Sequence, residues 1–249
     1  MKKLEWDYTE LAESYLKRPD YSEEAIRKMF EVTGVKKGDK ACDIGAGVAH
    51  LTLWLLKYGL NVNAVEPNEK MRIIGQNRTE QNITWTVGTG EDTKMPSNYF
   101  DLVTFGSSFN VCDRQAALLE TKRILKSNGW FACMWNHRDL NDKLQSEIEN
   151  ILKKNISDYD YGIRREDQMN LLKQSGIFTR LEFVEEKVIH TISVEDIIEA
   201  WKSHGTVYRQ AKERFNKIIM EITDLLQKES SDKIQVPYWT RIWIGQVKK

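Results

Sequence analysis

Residues 41–50 read Ala41-Cys-Asp-Ile-Gly-Ala-Gly-Val-Ala-His50. A short apolar run ends in two glycines, and a helical pattern continues over about 48–58. The pattern predicts a strand running into a tight turn over a ligand, because glycine lets the backbone turn sharply and approach another molecule closely. A dinucleotide fingerprint needs a third glycine, but His50 stands there. A P-loop needs GxxxxGK[ST], and no such run is present.

Working outward, Asn61-Val-Asn-Ala-Val-Glu66 predicts a second strand, followed by a helix over about 68–77. Glu66 closes that strand, where a carboxylate suits two ribose hydroxyls of either NAD or S-adenosylmethionine. A third strand is expected over 83–87, followed by the acidic turn Gly88-Thr-Gly-Glu-Asp92, to which an adenine amino group could donate. Phe100–Phe105 predicts a fourth strand, with the small residues Gly106-Ser-Ser108 after it. Arg114–Lys126 predicts a helix stopped by Ser127-Asn-Gly129, and Trp130–Trp135 a fifth strand. Strands alternating with helices at this spacing imply a mostly parallel sheet covered on both faces.

The remainder reads differently. Residues 141–155 and 165–175 predict helices, 178–192 an extended segment, 194–229 a long helical region, and 236–245 a strand that joins the sheet late and antiparallel. The helical material at 1–30, 137–165 and 194–229 exceeds what a sheet needs as cover. We expect it to cap the carboxyl ends of the strands, where open α/β sheets bind ligands, within a single domain spanning 1–249.

Composition narrows the classes. Lys plus Arg equals Asp plus Glu at 37 each, so nothing demands a nucleic-acid partner. Cys42, Cys112 and Cys133 are odd in number and have no CxxC spacing, which fits buried thiols in a reducing compartment. Met1-Lys-Lys-Leu-Glu-Trp-Asp-Tyr8 lacks the apolar core of a signal peptide, and no apolar run has the length of a membrane span. The expectation is a cytoplasmic monomer or homodimer without a membrane partner. His50, His137, His190 and His204 show no HxxxH spacing, so no metal is expected.

Taken together, Asp43-Ile-Gly-Ala-Gly47, Val65-Glu-Pro-Asn68 with Met71, Gly88-Thr-Gly-Glu91, Phe100-Asp-Leu-Val103 and Arg123-Ile-Leu-Lys126 to Gly129 resemble the class I S-adenosylmethionine-dependent methyltransferases over about residues 38–136. Tyr15-Leu-Lys-Arg-Pro-Asp-Tyr21 is similar to the N-terminal segment of a small-molecule branch that includes trans-aconitate methyltransferase-like enzymes. The resemblance implies a Rossmann-like α/β sheet of seven strands, the last antiparallel. It implies Gly45, Ala46 and Gly47 against the methionine part of the cofactor and Glu66 on the ribose hydroxyls. Pro67 and Met71 would flank the adenine, Gly90, Glu91 and Asp92 would meet its edge, and Gly106 and Ser107 would line the other side. Ala49 replaces a frequent glycine, and Asn110 stands where many relatives carry His before Trp.

Methyl transfer from a sulfonium is an in-line displacement, so the protein mainly orients the acceptor and removes water. Asn110 and His137, after the fourth and fifth strands, are the candidate catalytic groups. Tyr15, Arg18 and Tyr21 could close over the cofactor, with Tyr15 assigned to the cofactor and the other two to the acceptor. The cap and last strand are rich in aromatic and cationic residues: Tyr161, Arg164, Trp201, His204, Tyr208 and Arg241 are acceptor candidates, since arginine recognises carboxylate or phosphate by paired hydrogen bonds. The expected function is O-methylation of a small anionic metabolite, whether carboxylate, phosphoryl-type group or sugar derivative. The alternatives are N-methylation and a nucleic-acid or protein methyltransferase, the base-methylating type disfavoured by Gly-Ser-Ser-Phe-Asn after the fourth strand. A NAD-dependent oxidoreductase is disfavoured by His50 and the acidic turn, and a non-catalytic cofactor-binding protein completes the set.

Overall fold

The computed structural model describes residues 7–79 and 83–248; the first six residues of the expected cap lie outside them. The strands are β1 (Lys40–Ile44), β2 (Asn61–Val65), β3 (Thr84–Thr86), β4 (Phe100–Gly106), β5 (Leu125–Arg138), β6 (Phe178–Ser193) and β7 (Lys233–Val247). They form one sheet in the order β3-β2-β1-β4-β5-β7-β6. β1 to β5 pair in parallel, and β7 lies antiparallel between β5 and β6. This is the expected Rossmann-like sheet.

The helices are α1 (Ala12–Tyr15), α2 (Glu23–Thr33), α3 (His50–Lys57), α4 (Glu69–Arg78), α5 (Arg114–Ile124), α6 (Lys143–Asn155), α7 (Met169–Ser175), α8 (Val194–Lys202), α9 (Gly205–Ala211) and α10 (Phe215–Leu226). Side chains alternate across the strands. Val103, Phe105, Phe131 and Cys133 pack on the face covered by α5 and α7. Leu102, Trp130, Ala132 and Met134 pack on the face covered by α2 and α3. Local signals set these helices. The Ser22 hydroxyl accepts from the Ala25 N–H at 3.3 Å at the start of α2, and Gly34 ends it at φ 65°, as a left-handed C-terminal residue does.

The helices α6, α8, α9 and α10 bury a core of their own, including Ile148, Leu152, Trp201, Ile218 and Ile222, and this core reaches the sheet through Val236 of β7. The cap expected at 137–165 begins later, because His137 and Arg138 are still strand. β5 extends past Trp135 because β7 supplies a partner along its whole length, from Trp130 opposite Gln246 to Arg138 opposite Tyr238. At its other end β5 starts at Leu125 and absorbs the expected Ser127-Asn-Gly129 stop, with Asn128 at φ 61°. The long helix expected over 194–229 is broken twice, at Ser203-His204 and at Lys212, whose φ is 49°.

The chain runs outward from β1 through β2 to β3, then returns to place β4 on the other side of β1. That reversal opens a crevice at the carboxyl ends of β1 and β4, and the cap stands over it.

Candidate active site

One cavity lies in this crevice, lined by the turn after β1, the ends of β2, β4 and β5, the N-terminal segment and the cap. The turn is built on Gly45 and Gly47, at φ 67° and 55°. A Cβ on Gly45 would lie 2.4 Å from Ser108 Cβ, so the Ser108 side chain fills the place another side chain would need. Gly45 and Ala46 donate their N–H groups to the Val65 carbonyl at 2.8 and 3.1 Å, pinning the turn to β2. Beneath it, Asp43 is fully buried and accepts from the hydroxyls of Thr52 at 2.6 Å and Thr104 at 2.9 Å. Burial pushes its carboxyl up to about 6, against those two bonds.

Glu66 follows β2 and is 7% exposed. Its Oε2 accepts from the Gly47 N–H and its Oε1 from the Asn68 N–H, each at 2.8 Å. Burial raises its carboxyl above the ordinary value, and the two N–H groups oppose the rise. A carboxylate has about four acceptor sites, so two remain for a ligand in the cavity that Glu66 lines. The Gly45–Gly47 cradle beside a carboxylate with spare acceptor capacity fits the methionine and ribose of S-adenosylmethionine. Pro67 and Met71 line the same part of the cavity.

Gly106 and Ser107 border this cradle. Ser107 sits at φ 59°, a conformation costly for a residue with a side chain. Its N–H donates to the Met134 carbonyl at 2.8 Å, and its hydroxyl lies 3.1 Å from the Tyr21 hydroxyl. Tyr15 and His50 complete the wall, with His50 Nε2 3.2 Å from the Tyr15 carbonyl.

The opposite half of the cavity is cationic. Arg18 donates to Ser203 Oγ at 2.7 Å and to its carbonyl at 2.8 Å. Arg138 pairs with the buried Glu149 at 3.1 Å and lies 4.7 Å from the centre of the Trp201 ring. Arg164 lies 3.3 Å from His204 Nε2, and Arg165 lies 4.0 Å from the Tyr161 ring centre. Among the described residues, Arg18, Arg164 and Arg165 form no salt bridge. Burial depresses Arg164 to about 10. The break between α8 and α9 serves this half, since it brings Ser203 to Arg18 and His204 to the wall, with the His204 ring stacked on Trp201 at 5.0 Å.

Asn110 also lines the cavity. Its Oδ1 accepts from Trp135 Nε1 at 2.9 Å, which leaves the amide NH₂ as the group available to a ligand. His137 lines the cavity with both nitrogens engaged: Nε2 is 2.9 Å from the Arg164 carbonyl, and Arg241 Nη1 is 3.3 Å from Nδ1. It therefore offers no nitrogen as a base.

The expected residues Tyr15, Arg18, Tyr21, Gly45, Ala46, Gly47, Glu66, Pro67, Met71, Gly106, Ser107, Asn110, His137, Arg164, Trp201 and His204 thus meet at one cavity. Six others do not line it. A Cβ on Gly90 would strike Cys112 Sγ at 2.5 Å, so Gly90 serves packing. Glu91 accepts from the Asp113 N–H at 2.7 Å at the start of α5, and Asp92 is exposed and paired with Lys94. Tyr161 stacks edge-on with Tyr159 behind the arginines. Tyr208 is 47% exposed and packs on Phe215. Arg241 is spent on Glu185 and His137. Tyr8, Asp43, Trp135 and Gln145 line the cavity without having been singled out; only Asp43 had a local signal, its place directly before the glycine turn.

Residues 42–133, which hold the turn, Glu66 and β4, match the family model of a methyltransferase domain. This stretch is similar to a methyltransferase domain. An uncharacterized methyltransferase of Mycobacterium tuberculosis is 30% identical to it over 49% of this chain and 48% of the relative. A demethylmenaquinone methyltransferase of Tropheryma whipplei is 29% identical over 53% of this chain and 55% of the relative. The chain spans about half the length of the curated relatives it matches. A candidate type II methyltransferase of Anaeromyxobacter dehalogenans shares the fold, with a TM-score of 0.71 at 17% identity over 93% of this chain and 98% of that one. No helix among the described residues is long and apolar enough to cross a membrane.

Proposed function

We propose that this chain transfers the methyl group of S-adenosylmethionine to an oxygen of a small anionic acceptor. The observation that carries the reading is the charge of the acceptor half. Four guanidinium groups, Arg18, Arg138, Arg164 and Arg165, surround it, and Glu149 pairs with only one of them. Guanidinium groups bind carboxylate and phosphoryl oxygens in pairs of hydrogen bonds and repel ammonium groups.

When bound, S-adenosylmethionine supplies an electrophilic methyl and a neutral thioether leaving group. The Gly45–Gly47 turn and Glu66 hold one end of the cavity. Arg164 and Arg165 hold the acceptor's charge at the other, and the Asn110 amide NH₂ orients an acceptor oxygen between them. Tyr21, Ser107 and the N-terminal segment exclude water. A base is needed only where the acceptor must lose a proton. His137 has no free nitrogen, burial together with Arg164, Arg18 and Arg138 keeps His204 well below the ordinary imidazole value, and burial pushes the phenols of Tyr8, Tyr21 and Tyr238 upward. An acceptor oxygen that is already ionised suits this wall, and an amine or a carbon acid does not. The Tyr15–Tyr21 segment on the cavity wall supports the likeness to the trans-aconitate methyltransferase-like branch.

The test is transfer from methyl-labelled S-adenosylmethionine to a panel of small carboxylic acids, phosphate esters, amines and quinones. Label in the anionic acceptors, released as methanol by base when the product is a carboxylic ester, supports the reading. Base-stable label on carbon or nitrogen overturns it.

A further inference from the structure

His137 stands at the end of β5, with the Arg241 guanidinium on one side of its ring and the Arg164 carbonyl on the other. Arg241 Nη1 lies 3.3 Å from Nδ1, and Arg241 in turn pairs with Glu185 of β6. Guanidinium only donates, so Nδ1 carries no proton and the neutral ring keeps its hydrogen on Nε2. That hydrogen points to the Arg164 carbonyl 2.9 Å away. The chain Glu185–Arg241–His137–Arg164 therefore crosses β6, β7 and β5 and ends in the cap.

It ends on the short 3-10 turn Gly162–Arg165, which carries two of the three guanidinium groups of the acceptor half that form no salt bridge. Behind, the Gln168 amide donates to the carbonyls of Ile163 and Glu166, each at 2.8 Å. In front, the sheet holds it through His137 and through a long contact from Arg165 to the Arg138 carbonyl at 3.4 Å.

We propose that His137 is a positioning residue: by donating from Nε2 to the Arg164 carbonyl it fixes the turn that aims Arg164 and Arg165 at the acceptor. The proposal rests on the anionic-acceptor reading. It assigns the imidazole a role separate from proton transfer. Burial with Arg165, Arg241 and Arg164 nearby holds the ring near 3, so it stays neutral in ordinary buffers.

The experiment uses sulfate as the probe, because it is a dianion that does not titrate between roughly pH 5 and 8, the range in which an ordinary histidine does. Sulfate and S-adenosylhomocysteine affinities are measured calorimetrically for the whole chain, for His137→Leu and for His137→Gln. Loss of one hydrogen bond predicts sulfate binding about tenfold weaker in His137→Leu, with S-adenosylhomocysteine binding unchanged. His137→Gln, whose amide N–H reaches a similar place, recovers most of the loss. Nitrogen-15 spectra of the unmutated chain show the Nε2–H tautomer throughout that pH range, which tests the proposal even where the leucine variant fails to fold. Sulfate binding unchanged in His137→Leu, equal loss in both variants, or an Nδ1–H or titrating imidazole overturns the positioning role alone. An unmutated chain that binds S-adenosylhomocysteine but not sulfate overturns the anionic-acceptor reading and the proposal with it.

Discussion

The Gly47 N–H donates to Oε2 of Glu66 at 2.8 Å, so the turn after β1 is held by the same carboxylate that lines the cavity. Turn and ligand group are one device, and a change at Glu66 affects both. Glu66→Gln puts an amide where two N–H donors converge, so one of them meets an NH₂ instead of an oxygen. Charged hydrogen bonds contribute about 1.5–3 kcal/mol each. We expect S-adenosylhomocysteine affinity to fall by at least about tenfold, with a lower melting temperature. Unchanged affinity by calorimetric titration contradicts the assignment of Glu66.

Asp43 gives a pH signature. Burial raises its folded value to about 6, above the 3.8 of a free aspartate. The folded state therefore holds the extra proton, and this stabilising contribution is complete below about pH 4 and is lost as the pH rises through 6. The two-unit shift corresponds to roughly 3 kcal/mol. Asp43→Asn, nearly isosteric beside Thr52 and Thr104, should flatten the stability profile between about pH 4 and 6. Denaturant unfolding at both ends of that window checks it, and an unaltered slope contradicts it.

The glycine turn makes a steric prediction. Gly45→Ala forces a Cβ into Ser108 and keeps φ at 67°. Strain of this kind costs on the order of 1–3 kcal/mol before the overlap is counted. Adding Ser108→Gly removes the overlap but leaves the backbone strain, so the double variant should recover part of the lost stability. Thermal melts of the three proteins decide; full stability in Gly45→Ala contradicts the turn geometry.

Three further substitutions separate the site from its surroundings. Arg164→Ala should raise the KM of the anionic acceptor by about tenfold or more, the cost of one charged contact, and leave the KM of S-adenosylmethionine nearly unchanged. Arg241→Ala should have the smaller effect, because its guanidinium is spent on Glu185 and His137. Asp92→Ala should leave S-adenosylhomocysteine affinity within about twofold, since an exposed pair with Lys94 contributes little. A large loss there returns the acidic turn to the adenine edge.

The half of the cavity around the glycine turn was legible because its groups lie in short runs whose spacing has a mechanism: Gly45 to Gly47 for the turn, Glu66 at the end of β2, Gly106-Ser107 at the end of β4. The acidic turn does not line the cavity, for a physical reason. Gly90 is packed on Cys112 and Glu91 accepts from the N–H of Asp113 before α5, and both demands are tertiary and leave no trace in the local pattern. The acceptor half was half legible. Its arginines and aromatics stood out as types, but which of them meet depends on pairing between distant segments. His137 and Arg241 are 104 residues apart and adjoin only because β7 returns antiparallel beside β5. The same return extended β5 to Arg138 and moved two expected cap residues into the sheet.

The most direct measurement is calorimetric titration of the purified chain with S-adenosylhomocysteine and, under the same conditions, with NAD. Micromolar binding of the first and no binding of the second is the predicted result. Binding of NAD alone would mean that the Gly45–Gly47 turn and Glu66 serve a dinucleotide, and the methyl-transfer account would fall.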